Sequence, residues 1–312
     1  MSPPSLSVFS SVDDAALRLE ATGYLPSPEI STAAFLADRL EKPILVEGPA
    51  GVGKTELARA LGTALGRELV RLQCYEGLDE SKALYEWEYA KQLLYTQLLK
   101  DKIGETISGA KTLAEAADRI GAQDAVFFSE RFLLPRPILK ALLADQPALL
   151  LVDEVDKADP EFEAFLLEVL ADYAVTVPEL GTIKAKHTPR VVLTSNNARE
   201  LSDALKRRCL HLYIDFPSRE RELRIIRTRI PGIQDRLASS VVNAITKLRQ
   251  LELKKPPSIT ETLDWAKALA LLNADALSSE LLAATLNVVL KHEGDIEKAK
   301  AELPAIAAAA GE

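Results

Sequence analysis

Apolar residues gather in short blocks along the first two thirds of the chain. Residues 43–47 (PILVE), 148–152 (ALLLV) and 190–194 (RVVLT) are nearly unbroken apolar runs, the pattern of strands buried on both faces. Residues 68–74 and 211–216 read as two further strands. Between these blocks the period changes. Leu57, Ala58, Leu61, Ala64 and Leu65 fall at helical spacing, and Gly66 is placed to stop that helix. Asp159 and Pro160 form an N-cap and a first helical residue. Phe162, Phe165, Leu166, Val169 and Leu170 then line one face. Strands alternating with helices predict an α/β fold with a parallel sheet covered on both faces.

Past Phe216-Pro217 the strand signals stop. Residues 218–300 read as helices broken at Pro231-Gly232, at Pro256-Pro257 and over 273–279. The pattern therefore predicts a core over 1–217 and a small all-helical domain over 218–312. Residues 75–103, rich in Tyr, Trp, Leu and Glu, look helical although they lie between sheet strands. The alanine-rich stretch 304–311 reads as a frayed tail.

Composition narrows the function classes. Among 312 residues the formal net charge is -8, which argues against a large nucleic-acid footprint, because phosphate binding needs a basic surface. Cys74, Cys209, His187, His211 and His292 show no metal-ligand spacing, and two distant cysteines make no disulfide framework. A reducing cytoplasm is the expected compartment. Residues 1–20 lack the basic and apolar regions of a signal peptide, and no apolar stretch is long enough for a membrane span.

The candidate chemistry sits at strand ends. Gly48, Pro49, Ala50, Gly51, Val52, Gly53, Lys54 and Thr55 satisfy G-x-x-x-x-G-K-[ST] between an expected strand and an expected helix. Glycines let backbone N–H groups approach phosphate oxygens, and the helix N-terminus adds a positive dipole end. Lys54 supplies a point charge for the β- and γ-phosphates, and Thr55 a hydroxyl for Mg²⁺. Glu56 follows directly and is counted with the nucleotide-binding residues. At the end of the 148–152 run stand Asp153, which would hold the magnesium hydration shell, and Glu154, which would act as general base on water. A water-activating Glu argues against a kinase, and the lack of an N-K-x-D tetrad makes adenine the expected base. ATP and Mg²⁺ are thus the expected cofactors. Asn196 either orients the lytic water or caps a turn, and Asn197 is the better cap for the next helix. Arg207 and Arg208, read as following a short helix, are either solvated cations or a finger reaching a neighbouring subunit's ATP.

Taken in order, GPAGVGKT, LLLVDE, LTSNN and ALKRRC resemble the AAA+ ATPases and, within them, the MoxR branch. LQCYEGLDESKALYEWEYAKQLLYTQLL, FFSERFLLPRPIL and LTSNNARELSDALKRRCLHLYIDFP are similar to the CoxD group of that branch. Those ATPases mature the copper–molybdenum site of aerobic carbon monoxide dehydrogenase. The resemblance implies an AAA+ αβα core with a helical lid, and ATP held between subunits of a ring, usually a hexamer. It implies a helical insertion at about 75–103 and a hairpin at about 174–187, both facing a pore or client. The aromatic cluster Tyr85, Trp87, Tyr89 and Tyr95 either serves that role or simply packs. The resemblance makes Asn196 the sensor-1 residue and Arg208 the finger, with Arg207 a second candidate. It also implies a von Willebrand A-domain partner, an apo molybdenum hydroxylase client, no nucleic acid, and cytoplasmic residence, with peripheral attachment at the inner membrane through partners. A generic MoxR metal-insertion remodeller, a clamp-loader-like motor and a nucleotide-gated scaffold are the alternatives. One departure from the family pattern stands out: residues 257–262 (PSITET) hold no lid arginine, so nucleotide-dependent lid closure either uses another residue, Lys254 or Lys255, or is weaker.

Overall fold

The structure is a computed structural model that describes residues 7–110, 112, 115, 129–178 and 180–311. Residues 127 and 128 of the quoted FFSER segment, and Glu179 of the hairpin, lie outside the described residues, as do residues 1–6 of the N-terminal reading. One sheet contains β1 (Ile44–Glu47), β2 (Glu68–Gln73), β5 (Ala148–Asp153), β8 (Arg190–Ser195) and β9 (Leu210–Tyr213), in the order β2-β5-β8-β1-β9. Its registered pairs β2–β5, β5–β8 and β1–β9 are all parallel. Every residue of β5 and β8 is buried, as unbroken apolar runs demand, whereas the edge strand β2 alternates.

Contacts divide the chain into two compact units. Among the described residues, the first holds 67–193 and 201–209, and the second holds 7–66, 194–200 and 210–311. In the first unit, α4 (Glu80–Leu84), α5 (Tyr89–Leu98) and α6 (Lys100–Ile107) follow β2. Then come α7 (Pro137–Leu143), α8 (Pro160–Asp172) and α9 (Asp203–Arg208). Asp159 and Pro160 open α8 as the sequence predicts. β6 (Ala174–Val177) and β7 (Gly181–Lys184) pair antiparallel.

The second unit begins with α1 (Val12–Ala21) and α2 (Pro28–Leu40) and carries α3 (Lys54–Ala64) after β1. Its C-terminal part is helical throughout: α10 (Arg219–Arg229), α11 (Asp235–Arg249), α12 (Ile259–Leu271), α13 (Ser279–Val289), α14 (Glu293–Ala301) and α15 (Leu303–Ala310). These helices share one apolar core around Trp265, whose indole N–H donates to Thr285 Oγ1 at 2.8 Å. A buried ion pair joins α10 to α11. Arg249 donates two bonds to Glu222, at 2.6 and 2.8 Å, a third to the Pro257 carbonyl at 2.8 Å, and stacks over Phe216. Thr262 of α12 adds its hydroxyl to Glu222 at 2.8 Å. The pair is thus fully hydrogen-bonded, the condition for keeping charges out of water.

The structure corrects several sequence readings. Residues 75–103 are not helical throughout: β3 (Tyr85–Trp87) pairs antiparallel with β4 (Leu133–Pro135), a partner too distant in sequence for local periodicity to reveal. Residues 304–311 are not a frayed tail but lie mostly in α15, where Ile306, Ala307 and Ala310 are buried in the helical core. The strand read over 211–216 ends at Tyr213. Lys206, Arg207 and Arg208 lie inside α9 rather than after it. Asn197 does not cap that helix. It adopts a left-handed turn with φ 59°, and Ser202 is the N-cap, its Oγ accepting from the Leu205 amide.

Replacing the fully buried Trp265 by Ala should destabilise the chain by about 4 kcal/mol through the cavity left behind, and Leu17→Ala, 66% exposed, by less than about 0.5 kcal/mol. Urea unfolding of the two variants checks the contrast.

Candidate functional site

The phosphate-binding motif forms the turn between β1 and α3, wholly within the second unit. Gly48, Gly51 and Gly53 have φ of 147°, 76° and 99°, conformations that side chains rarely adopt. Close approach adds a second requirement. A Cβ on Gly48 would lie 2.0 Å from the Ile214 carbonyl oxygen, and one on Gly51 2.2 Å from Ser258 Oγ. Gly53 is the N-cap of α3 and supplies no side-chain cap to its first turn. The amide donors of that turn therefore face the loop without a side-chain oxygen from the cap, the arrangement an anion completes.

Lys54 is 6% exposed, and its Nζ donates to the carbonyls of Gly48 at 2.7 Å and Pro49 at 2.6 Å. The ammonium is thus folded back over its own loop, held by backbone oxygens. Glu56, one position past Thr55, pairs with Arg229 of α10. A cavity of about 420 Å³ opens beside the loop, lined among others by Tyr24, Gly51, Gly53, Glu56, Arg221 and Arg229. That volume lies in the range of small-ligand sites. The Tyr24 hydroxyl is pushed up to about 12 by burial, partly offset by Arg221 and reinforced by Glu56, so the ring is a neutral wall of the cavity. Asn196 belongs to this unit as well, half-buried just past the end of β8.

The two acids and the two arginines lie in the first unit. Asp153 ends β5 at 2% exposure, and its Oδ2 accepts from Arg71 Nε at 3.0 Å and Nη2 at 2.6 Å. Glu154 sits in the left-handed region, φ 58° and ψ 50°, which turns the chain sharply off the strand end. Its carboxylate accepts from Gln73 Nε2 at 2.9 Å and pairs with Lys157 Nζ at 2.6 Å. The hydrogen bond to Glu154 holds the Lys157 ammonium above its ordinary pKa. The Cys74 thiol, which follows Gln73, is pushed up to about 12, first by burial and then by Asp153, Asp156 and Glu154. Arg207 and Arg208 are both exposed on the last turn of α9, so burial does not distinguish them.

Arg71, Gln73 and Lys157, which orient the acids, escaped the sequence reading, as did Arg221, Arg229 and Lys267 of the cavity wall. The first two could have been found by the period-2 rule, since Arg71 and Gln73 point to the same face of β2. Lys254 and Lys255, the expected lid cations, do not line the cavity. Their amides donate to Asp295 at 2.8 and 3.1 Å, and Lys255 Nζ lies 3.9 Å from Glu261. Among the described residues no three His, Cys, Asp or Glu side chains cluster to hold a metal unaided.

Residues 43–209, more than half of the chain, match the model of the AAA domain, dynein-related subfamily. The chain belongs to that AAA family. Its fold is the AAA+ P-loop fold with a helical C-terminal region, and its class is that of the AAA+ ATPases. Over 151 residues it is 32% identical to chaperone protein ClpB 2 of Parasynechococcus marenigrum, covering 48% of this chain and 13% of that protein. An uncharacterised protein of Staphylococcus aureus (strain bovine RF122 / ET3-1) is 29% identical over 184 residues, 57% of each chain. The AAA chain thus spans little more than half the length of that relative and a small part of the ClpB protein. The Holliday junction branch migration motor RuvB of Thermotoga maritima superposes with a TM-score of 0.45 at 16% identity, covering 83% of this chain and 67% of that one. No described helix is long and apolar enough to cross a membrane.

Steric requirements at two glycines of similar φ separate the loop from ordinary turns. Gly51→Ala, which meets Ser258, should cost at least about 2 kcal/mol, whereas Gly77→Ala, with φ 76° and open space around it, should cost about 1 kcal/mol. Thermal unfolding of both variants measures the difference.

Proposed function

We propose that this AAA protein is a Mg²⁺-dependent ATPase of the MoxR type that remodels a metalloenzyme client. The single observation that carries the nucleotide part is the glycine cradle with the Lys54 ammonium held inside it by two carbonyls. A triphosphate offers that ammonium stronger acceptors than the two carbonyls, so Lys54 would exchange one set of partners for the other. Loop amides and the first turn of α3 would bind the phosphate oxygens.

The donor chemistry fits magnesium. Thr55 and Asp153 would each offer a hard oxygen, the donor type that Mg²⁺ prefers beside water and substrate phosphate. When bound, the ion neutralises phosphate charge and so favours attack by water. Asp153 would exchange part of its pairing with Arg71 for that hydrated cation. Glu154, oriented by Gln73 and Lys157, would take the proton of the attacking water on its carboxylate. Asn196 would orient that water, and Arg207 or Arg208 would serve the ATP of a neighbouring copy in a ring.

Maturation of the copper–molybdenum site of a CO dehydrogenase-type hydroxylase is the client reading that the CoxD-like segments favour. A von Willebrand A-domain protein would act beside the ring, and the apo-hydroxylase would be the body on which hydrolysis does work. The acidic balance of the chain supports a protein client over a nucleic acid.

Lys54→Ala should lose ATP binding in calorimetric titration, while Glu154→Gln should bind ATP and release phosphate at least about 100-fold more slowly. Equal turnover in Glu154→Gln would remove that residue from the mechanism. In cells, deleting the gene should leave CO dehydrogenase without a complete metal site, read by metal analysis of the purified enzyme; a fully loaded enzyme would end the client assignment.

A further inference from the structure

The cavity beside the phosphate loop carries three cationic side chains, Arg221, Arg229 and Lys267. Two hold partners within the fold, although the buried Nε of Arg221 has none among the described residues. Arg221 Nη2 donates to the Leu25 carbonyl at 2.8 Å, and Arg229 pairs with Glu56. Lys267 differs. Its ion-pair partner is Asp264 at 4.0 Å, the outer limit of such a contact, and its side chain is 55% exposed.

Its place on α12 determines what it can reach. Thr260, Leu263 and Lys267 are spaced three and four residues apart, so they share one helix face, and all three line the cavity. Thr260 marks the end next to the loop, its Oγ1 3.6 Å from where a Cβ on Gly51 would stand. Lys267 lies seven residues further on, roughly 10 Å along the helix axis. Phosphates seated on the loop leave the rest of the cavity, walled by Tyr24 and Ile225, to the sugar and base.

We propose that Lys267 is a nucleoside-binding residue, its ammonium donating to acceptor atoms of the sugar or base. The inference rests on the nucleotide-binding reading above and adds to it the recognition of the non-phosphate half. It also places a cation of α12 nine residues after Ser258, outside the 257–262 segment in which no arginine occurs.

Two probes test this on the purified full chain by calorimetric titration: ADP, which carries a nucleoside, and inorganic tripolyphosphate, which does not. Lys267→Ala should weaken ADP binding by about five- to tenfold, the scale of a solvent-screened charge-assisted hydrogen bond, and leave tripolyphosphate binding unchanged. Lys267→Arg should restore ADP binding to within about twofold of wild type, since it keeps a charged donor. ADP binding unaltered in Lys267→Ala would overturn the proposal, and so would an equal loss for both probes, which would place the ammonium on phosphate. Failure of wild type to bind either probe would instead overturn the nucleotide-binding reading on which the proposal stands. Lys267 is exposed, so an unchanged thermal midpoint in both variants verifies that they fold.

Discussion

A backbone bend that leaves no room for side chains governs the candidate site. Gly48 must pass a carbonyl of Ile214 and Gly51 must pass the hydroxyl of Ser258, both at distances that a Cβ would violate. Those contacts hold the loop in a curl whose carbonyls at residues 48 and 49 converge on Lys54. The same curl leads into α3 with a glycine as N-cap, so the first-turn donors meet no capping side chain. Charge, dipole and steric fit thus arise together from one bend, which also forms part of the cavity wall through Gly51, Val52 and Gly53.

The acids at the end of β5 have their own logic. A fully buried apolar strand delivers Asp153 to its last position, and burial of a carboxylate demands a partner, which Arg71 supplies from the neighbouring strand. Glu154 then leaves the strand in a left-handed turn and takes its orientation from Gln73 and Lys157. Each acid is therefore oriented by neighbouring donors, Asp153 by Arg71 and Glu154 by Gln73 and Lys157.

Much of this was legible in the sequence because the signals are local. Unbroken apolar runs marked β1, β5 and β8, and the loop motif and the acid pair lie directly at their ends. The helical character of 218–300 was readable from the breaks at Pro231-Gly232, at Pro256-Pro257 and over 273–279. Where the reading failed, the deciding contact was remote. Tyr85–Trp87 becomes a strand only because Leu133–Pro135 pairs with it. Ile306 is ordered only because the helical core covers it, which alanine-rich composition alone does not reveal. Arg71, Gln73 and Arg229 looked like ordinary exposed polar residues, and their partners Asp153, Glu154 and Glu56 lie 82, 81 and 173 positions away.

The most direct test of the central claim is the position of Lys54 Nζ in a crystal structure of the chain with a non-hydrolysable ATP analogue. The account predicts that Nζ leaves the carbonyls of Gly48 and Pro49, now at 2.7 and 2.6 Å, and comes within hydrogen-bonding distance of the terminal phosphates, with the loop glycines unmoved. A bound analogue with both carbonyl contacts intact, or one seated away from residues 48–55, would contradict it.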